Sequence, residues 1–181
     1  MRRILPSGTY LFALLFAILA APRALGAPAS AGGARWSVPA RWKEKPERPM
    51  RVATYAVPAV AGAAEAECAV FYFGKGQGGS VEENLSRWAK QFDGGQPPRN
   101  ETKTVGGLRV HLTDVSGTYL AAGGPMMQTQ EKKSGYRLLG AIVETSEGLV
   151  FFKLTGPAAT VAAARADFDA LVRSLTKAPN L

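Results

Sequence analysis

Gly74-Lys75-Gly76-Gln77-Gly78-Gly79 reads G-x-G-x-x-G, between a β-rich run and an amphipathic run, where a dinucleotide-binding fingerprint would stand. In that fingerprint the pyrophosphate rests on the free N–H groups opening the next helix. Here Ser80 follows the last glycine and Glu83 comes three residues later, the pattern of a capping box that fills those groups with protein side chains. Glu82 and Glu83 suit the helix dipole and would repel a phosphate. Glu101 opens the following strand where a ribose-binding acid should close it, and Lys75 precedes the last glycines, so no Walker pattern is present. The stretch reads as a strand-to-helix connection.

Other reactive residue types are sparse. His111 is the single histidine, so any histidine metal cage or Ser-His-Asp triad must use one ring. Its same-face strand neighbours are Arg109 and Thr113, while Asp114 points to the opposite face. A structural histidine is the favoured reading, and a small hydrolase pairing His111 with a Ser or Thr hydroxyl is the alternative. Cys68, the lone cysteine, lies in an apolar run and reads as a buried small hydrophobe; no internal disulfide is possible. Asp167 and Asp169 are two apart on a helical run and read as solvated surface. Met126-Met127 offers soft ligands for Cu(I), which keeps a copper or small-ligand carrier as a further alternative. No cofactor is expected.

Several elements must position these residues. Residues 1–26 have the form of a signal peptide: Arg2 and Arg3, an eleven-residue apolar run at 11–21, then Ala24 and Gly26. That run is too short to span a bilayer, which takes about 20 residues, and the mature chain holds no transmembrane segment. An exported, periplasmic or secreted protein is expected, with cleavage after Gly26 or Ala29. The full chain carries +8; removing Arg2, Arg3 and Arg23 leaves 19 cations against 14 acids, or +5. Six of those cations stand between residues 35 and 51 against Glu44 and Glu47, so the basicity belongs to one segment. Nucleic acid is not an expected partner for an exported chain whose remaining domain is near neutral.

Residues 27–49 read as a small-residue linker followed by a basic arm with Trp36, Trp42 and three prolines; residues 50–181 read as one domain. Within the domain, "MRVATYAV" and "ECAVFYF" are β-rich, the second apolar on both faces and hence central. Val81, Leu85, Trp88 and Phe92 form one helical face. "ETKTV" and "LRVHLTDV" flank Gly106-Gly107, and "YRLLGAIVET" and "LVFFKLT" flank Ser146-Glu147-Gly148: two hairpins, with strand character continuing through "SGTYLA". Thr155-Gly156-Pro157 is expected to stop the sheet, and Val161, Ala164, Phe168, Leu171, Val172 and Leu175 mark a final amphipathic helix. The fold class is α+β, a mainly antiparallel sheet of about six strands covered by two amphipathic helices.

The proline-tryptophan arm, "MRVATY", "ECAVFYFGKGQGG", "GTYLAAGGPMM", "GYRLLGAIVE" and "VFFKLTGP" together resemble a family of uncharacterised exported bacterial proteins. The layout is similar to the α/β/α sandwich of PsbP-like proteins, the extrinsic subunits of photosystem II. The resemblance supplies no catalytic residue and implies a small non-catalytic module of the cell envelope.

The expected partner at residues 121–135 is an unknown envelope protein, and that of the basic arm is an anionic envelope surface. This is a 15-residue stretch without periodicity. Met126 and Met127 are adaptable apolar contacts beside Lys132 and Lys133, and with Tyr119 they form the candidate contact patch; the alternative is a mobile crossover between two hairpins with the methionines tucked onto the sheet.

Overall fold

A computed structural model describes residues 25–121 and 131–179. Residues 1–24 of the expected leader, and Met126 and Met127, lie outside the described residues. In chain order the elements are β1 (Leu25–Ala31), β2 (Ala34–Pro39), β3 (Lys43–Glu44), β4 (Ala53–Val57), β5 (Ala66–Tyr72), α1 (Val81–Ala89) and β6 (Phe92–Asp93). There follow β7 (Arg99–Val105), β8 (Leu108–Ala121), β9 (Glu131–Thr145), β10 (Gly148–Pro157), α2 (Ala158–Ala163), α3 (Arg165–Arg173) and β11 (Thr176–Lys177).

The six expected strands are β4, β5 and β7 to β10, but the sheet is larger than six. Eight strands run in the order β3-β4-β5-β10-β9-β8-β6, with β7 also paired to β8, and a separate three-stranded sheet has the order β1-β2-β11. All pairings are antiparallel. The segment read as linker and arm supplies most of β1 and all of β2 and β3, and Trp36 of β2 is 2% exposed with its ring edge-on to Phe152 at 5.0 Å. Three helices replace two, because the final apolar face runs through α2 and α3 with a break at Ala164. The face itself is as expected: Val161, Ala164, Phe168, Leu171, Val172 and Leu175 are all buried. Pairing of β10 with β9 runs on to Pro157, past the expected stop, and Pro157 then caps α2. Phe92 leaves the helical face and enters β6 opposite Tyr119.

Strand alternation sorts the large sheet into two faces. Cys68, Val70, Phe152, Leu154, Ala141, Val143 and Val110 face β2 and the last two helices in the main core. On the other face Phe151, Ile142 and Leu138 pack beneath Val81 and Trp88 of α1. Trp88 sits directly over Gly140, where a Cβ would come within 2.4 Å of the indole. Glycine is therefore required at the point where helix and sheet approach most closely. Beyond α1, the same face carries Ala69, Lys153, Glu67 and Thr155, cross-strand neighbours on β5 and β10, into an open cleft.

Candidate functional site

The cleft has a volume of about 360 Å³. Alternation in "LVFFKLT" puts Phe151 and Lys153 on one face, and small Ala69 opposite Lys153 leaves space above the strand pair. Tyr119 of β8 and Tyr136 of β9 form the far wall, stacked with centroids 6.0 Å apart and planes at 6°. Their meeting depends on a bulge. Gly117 pairs with Tyr136 but Tyr119 pairs with Lys133, so β9 carries one extra residue, and Gly135 beside it has φ of 67°. A bulge of this kind re-aims side chains.

Lys153 is the centre of the site. Its Nζ donates to Gln91 Oε1 at 2.6 Å and stands 5.5 Å over the Tyr119 ring. Among the described residues it makes no ion pair with a carboxylate. Burial, reinforced by the charges of Arg51 and Arg87, lowers its pKa to about 8. Across the cleft, Arg51 Nη1 donates to Glu67 Oε1 at 2.6 Å, and its guanidinium lies 5.6 Å from the Phe71 ring centroid. Lys45 and Arg48 add longer contacts to Glu67 Oε2 at 3.5 and 3.8 Å. Burial alone would raise the Glu67 carboxyl, but the Arg51 hydrogen bond and the three cations outweigh it and hold its pKa low. The arrangement is a cation-rich, aromatic-walled pocket suited to an anionic group, with no side-chain hydrogen bond between a hydroxyl and a base among its lining residues.

Of the expected contact residues, Tyr119 and Lys133 line this cleft, whereas Lys132 is exposed and does not. Met126 and Met127 are outside the described residues. Lys153, Arg51 and Tyr136 were not expected. The one local signal was a lysine interrupting the apolar run "LVFFKLT".

The other candidates are placed as follows. His111 is 8% exposed, with Thr102 Oγ1 3.0 Å from Nδ1 and Glu144 Oε1 2.5 Å from Nε2, a hydroxyl–imidazole–carboxylate row joining β7, β8 and β9. Neither His111 nor Thr102 lines the cleft around Lys153 or the cavities beside it. Cys68 is buried, which pushes its thiol pKa upward. In the glycine loop the capping box is formed: Glu83 N donates to Ser80 Oγ at 3.1 Å and Ser80 N to Glu83 Oε2 at 2.7 Å. Asn84 Nδ2 further bonds the carbonyls of Gly78 and Ser80 at 2.8 and 2.7 Å. Asp167 is not solvated surface: it is 2% exposed and pairs with Arg41 at 2.5 Å, because α3 lies against the N-terminal strands. Among the described residues no three His, Cys, Asp or Glu side chains converge, and no helix is long and apolar enough to cross a membrane.

No family model matches the chain, and no curated protein matches it in sequence. Solved structures do. PA94, a protein of unknown function from Pseudomonas aeruginosa, is 14% identical over 87% of this chain and 100% of its own, with a TM-score of 0.50. LpqN, involved in cell envelope biogenesis of Mycobacterium tuberculosis, is 13% identical over 85% and 86%, with a TM-score of 0.49. Cyanobacterial PsbP (CyanoP) from Synechocystis sp. PCC 6803 is 12% identical over 87% and 95%, with a TM-score of 0.50. At such identities the likeness to PA94 and CyanoP is one of fold alone. The chain has a PsbP-like α+β fold.

Proposed function

We propose that the protein is exported to the periplasm or beyond and serves there as a non-catalytic binding or assembly module of the bacterial cell envelope. Its contact site is the cleft around Lys153. The leader-like N-terminus supports the address. The observation that carries the site is Lys153 itself: a largely buried cation with no carboxylate partner among the described residues, at the base of a pocket open to solvent. An uncompensated buried charge costs stability, and a ligand group that supplies the missing anion offsets that cost. The stacked tyrosines add flat apolar contact area beside the charge. The fold by itself assigns no chemistry.

Crosslinking from the native envelope tests this reading, with the wild type compared against Tyr119→Ala combined with Lys153→Met. Loss of specific crosslinked partners in a folded variant supports the cleft as the contact site; an unchanged partner set overturns it. A Met126→Ser, Met127→Ser variant in the same experiment tests whether the neighbouring stretch contributes to the contact.

One observation favours a second reading, the Thr102–His111–Glu144 row. A hydroxyl, an imidazole and a carboxylate in a hydrogen-bonded row are the members of a hydrolytic triad, here with the roles of the two ring nitrogens exchanged. Turnover of a chromogenic acetate ester above buffer, abolished by His111→Ala, would establish that activity. Turnover unchanged in His111→Ala excludes it.

A further inference from the structure

The cleft does not end at Lys153. A second, apolar-walled cavity of about 170 Å³ shares Phe71 and Lys153 with it and continues between α1 and β5 over Phe151 and Trp88. A third, shallower one shares Phe73 and Arg87 with the second and ends at Met50. The three form one trough along the side of α1. Its floor is a run of rings: Phe71 and Phe73 stack at 6.1 Å, Phe73 meets Phe151 at 5.8 Å, and Phe151 meets Trp88 at 6.4 Å. The open end exposes two large apolar side chains, Phe73 at 36% and Met50 at 74%. Met50 adopts a φ of 65°, unusual for a side chain with a Cβ.

Lys153 stands where the first two cavities meet, beside Lys45, Arg51 and Lys133 with Glu65 and Glu67, while Arg87 and Glu83 lie toward the Met50 end. Lys153 and Arg87 make no ion pair among the described residues; Arg87 bonds the neutral side chain of Asn84. The excess of cations around Lys153, four against two carboxylates, and the Phe71 and Phe73 rings leading from it toward Met50 complement a molecule with an anionic head and an apolar chain. From this we infer that the trough binds an anionic amphiphile, with a carboxylate or phosphate head at Lys153 and a single apolar chain laid over Phe71 and Phe73 toward Met50. This rests on the reading of the cleft as a binding site and names its ligand class. The head cavity, at about 360 Å³, lies within the usual range of small-molecule pockets, about 300–1,000 Å³. The aromatic floor gives the chain a place to leave water, and the Lys153 amine, which has no carboxylate partner among the described residues, gives the head its orientation.

Trp88 supplies the readout. It borders the trough, whereas Trp36 and Trp42 pack in the core on the opposite face of the sheet. Dodecanoate and dodecyl phosphate, each below its micelle concentration, are titrated into the mature protein while tryptophan emission is followed. Dodecyltrimethylammonium and acetate serve as controls, and Trp88→Phe checks the origin of the signal. A saturable change is expected with either anionic amphiphile, weakened about tenfold or more by Lys153→Gln and separately by Phe73→Ala, which removes an exposed ring and leaves the core intact. Response to only one of the two anions identifies the head group as carboxylate or phosphate. An equal response to the cationic amphiphile, indifference to both substitutions, or no saturable change overturns the inference. If the envelope partners still depend on Tyr119 and Lys153 while dodecanoate and dodecyl phosphate fail, the amphiphile assignment falls and the binding-module reading stands. If crosslinking is insensitive to the cleft, that reading falls by itself.

Discussion

Lys153 Nζ meets Gln91 Oε1 at 2.6 Å, so the largely buried cation of the sheet face is answered by a neutral amide rather than by a carboxylate. The residues that face it are Tyr119 from β8, Gln91 after α1, Arg87 from α1, and Arg51 with Glu67 across the cleft. Arg51 and Arg87 add to the burial that lowers its pKa to about 8 from the ordinary 10.5. The site therefore holds a charge at the expense of stability.

Lys153→Met is expected to stabilise the protein at pH 7 by on the order of 1–3 kcal/mol, since an apolar side chain of similar length removes the desolvation cost. The sign with pH follows from the depressed pKa. Below about 8 the folded and unfolded chains both carry the proton and the penalty is complete; between about 8 and 10.5 the folded chain has released it while the unfolded chain has not. Wild-type stability attributable to this group thus rises through that window, and the advantage of Lys153→Met shrinks. Urea unfolding of both proteins at pH 7 and pH 10 measures the difference. A destabilised Met variant at pH 7 would show that the amine is compensated.

The glycine loop gives a second prediction. Ser80→Ala removes the hydroxyl that accepts from Glu83 N at 3.1 Å, and a cost of about 1 kcal/mol is expected. Ser80 engages the N–H groups of Glu83 and Asn84, and Glu82 and Glu83 place negative charge in the first turn of α1, so no dinucleotide should raise the melting temperature, and Gly76→Ala should leave that result unchanged. A rise of several degrees with a dinucleotide, lost in Gly76→Ala, would restore the phosphate reading.

How far the fold was legible depended on whether its signals were local. The strands β4, β5 and β7 to β10 are read from β-rich runs, and Gly106-Gly107 marks one hairpin turn directly. By contrast β1 reads "LGAPASA", small residues and a proline without alternation, and β2 ends on Pro39. Their pairing is fixed by tertiary packing of Trp36 against Phe152, which no local pattern announces. Strands of two residues, such as β6 and β11, are too short to show a period. The site was half legible for the same reason. Tyr119 and Lys133 stand beside a conspicuous aperiodic stretch, whereas Lys153 gains its meaning from the β5–β10 register and the end of α1.

Acid stability should depend on Asp114. Arg137 grips it through Nε at 2.8 Å and Nη2 at 2.6 Å, and Arg165 adds a bond at 3.1 Å that ties α3 to the sheet. Burial would raise this carboxyl, but the hydrogen bond and charge of Arg137, with Arg165, hold its pKa below the ordinary 3.8. A depressed carboxyl contributes stability above its unfolded pKa and loses it as pH falls through the folded value. Asp114→Asn should therefore lower stability at pH 7 and flatten the loss below about pH 4. An unchanged acid limb in the Asn variant would remove Asp114 from the account.

Docking of the final helices is tested by Phe168→Ala. Phe168 is 3% exposed in the main core, and a loss of about 3–5 kcal/mol is expected for a buried ring. That is a large share of a typical stability of about 5–15 kcal/mol. A variant melting within a degree or two of wild type would mean that α3 contributes little.

The last prediction joins processing to packing. Small residues allow cleavage after Gly26 or after Ala29, and the two products differ in what remains of β1. Regular pairing with β2 runs through Pro28–Ser37, Ala29–Trp36, Ser30–Arg35 and Ala31–Ala34, with an irregularity before Pro28. Ala29 and Ala31 also pack on the main core. Cleavage after Gly26 preserves all four pairs; cleavage after Ala29 leaves only the two nearest the turn and removes one core contact. The expected mature terminus is therefore Ala27, and a chain beginning at Ser30 should be less stable by about 1 kcal/mol, from a lost half-buried methyl and the fraying of an edge strand. N-terminal sequencing of protein from the envelope fraction reads the first point, and denaturant unfolding of the two truncated chains reads the second. A terminus at Ser30 with equal stability would make the first half of β1 dispensable, and an intact Met1 would remove the leader and the proposed address together.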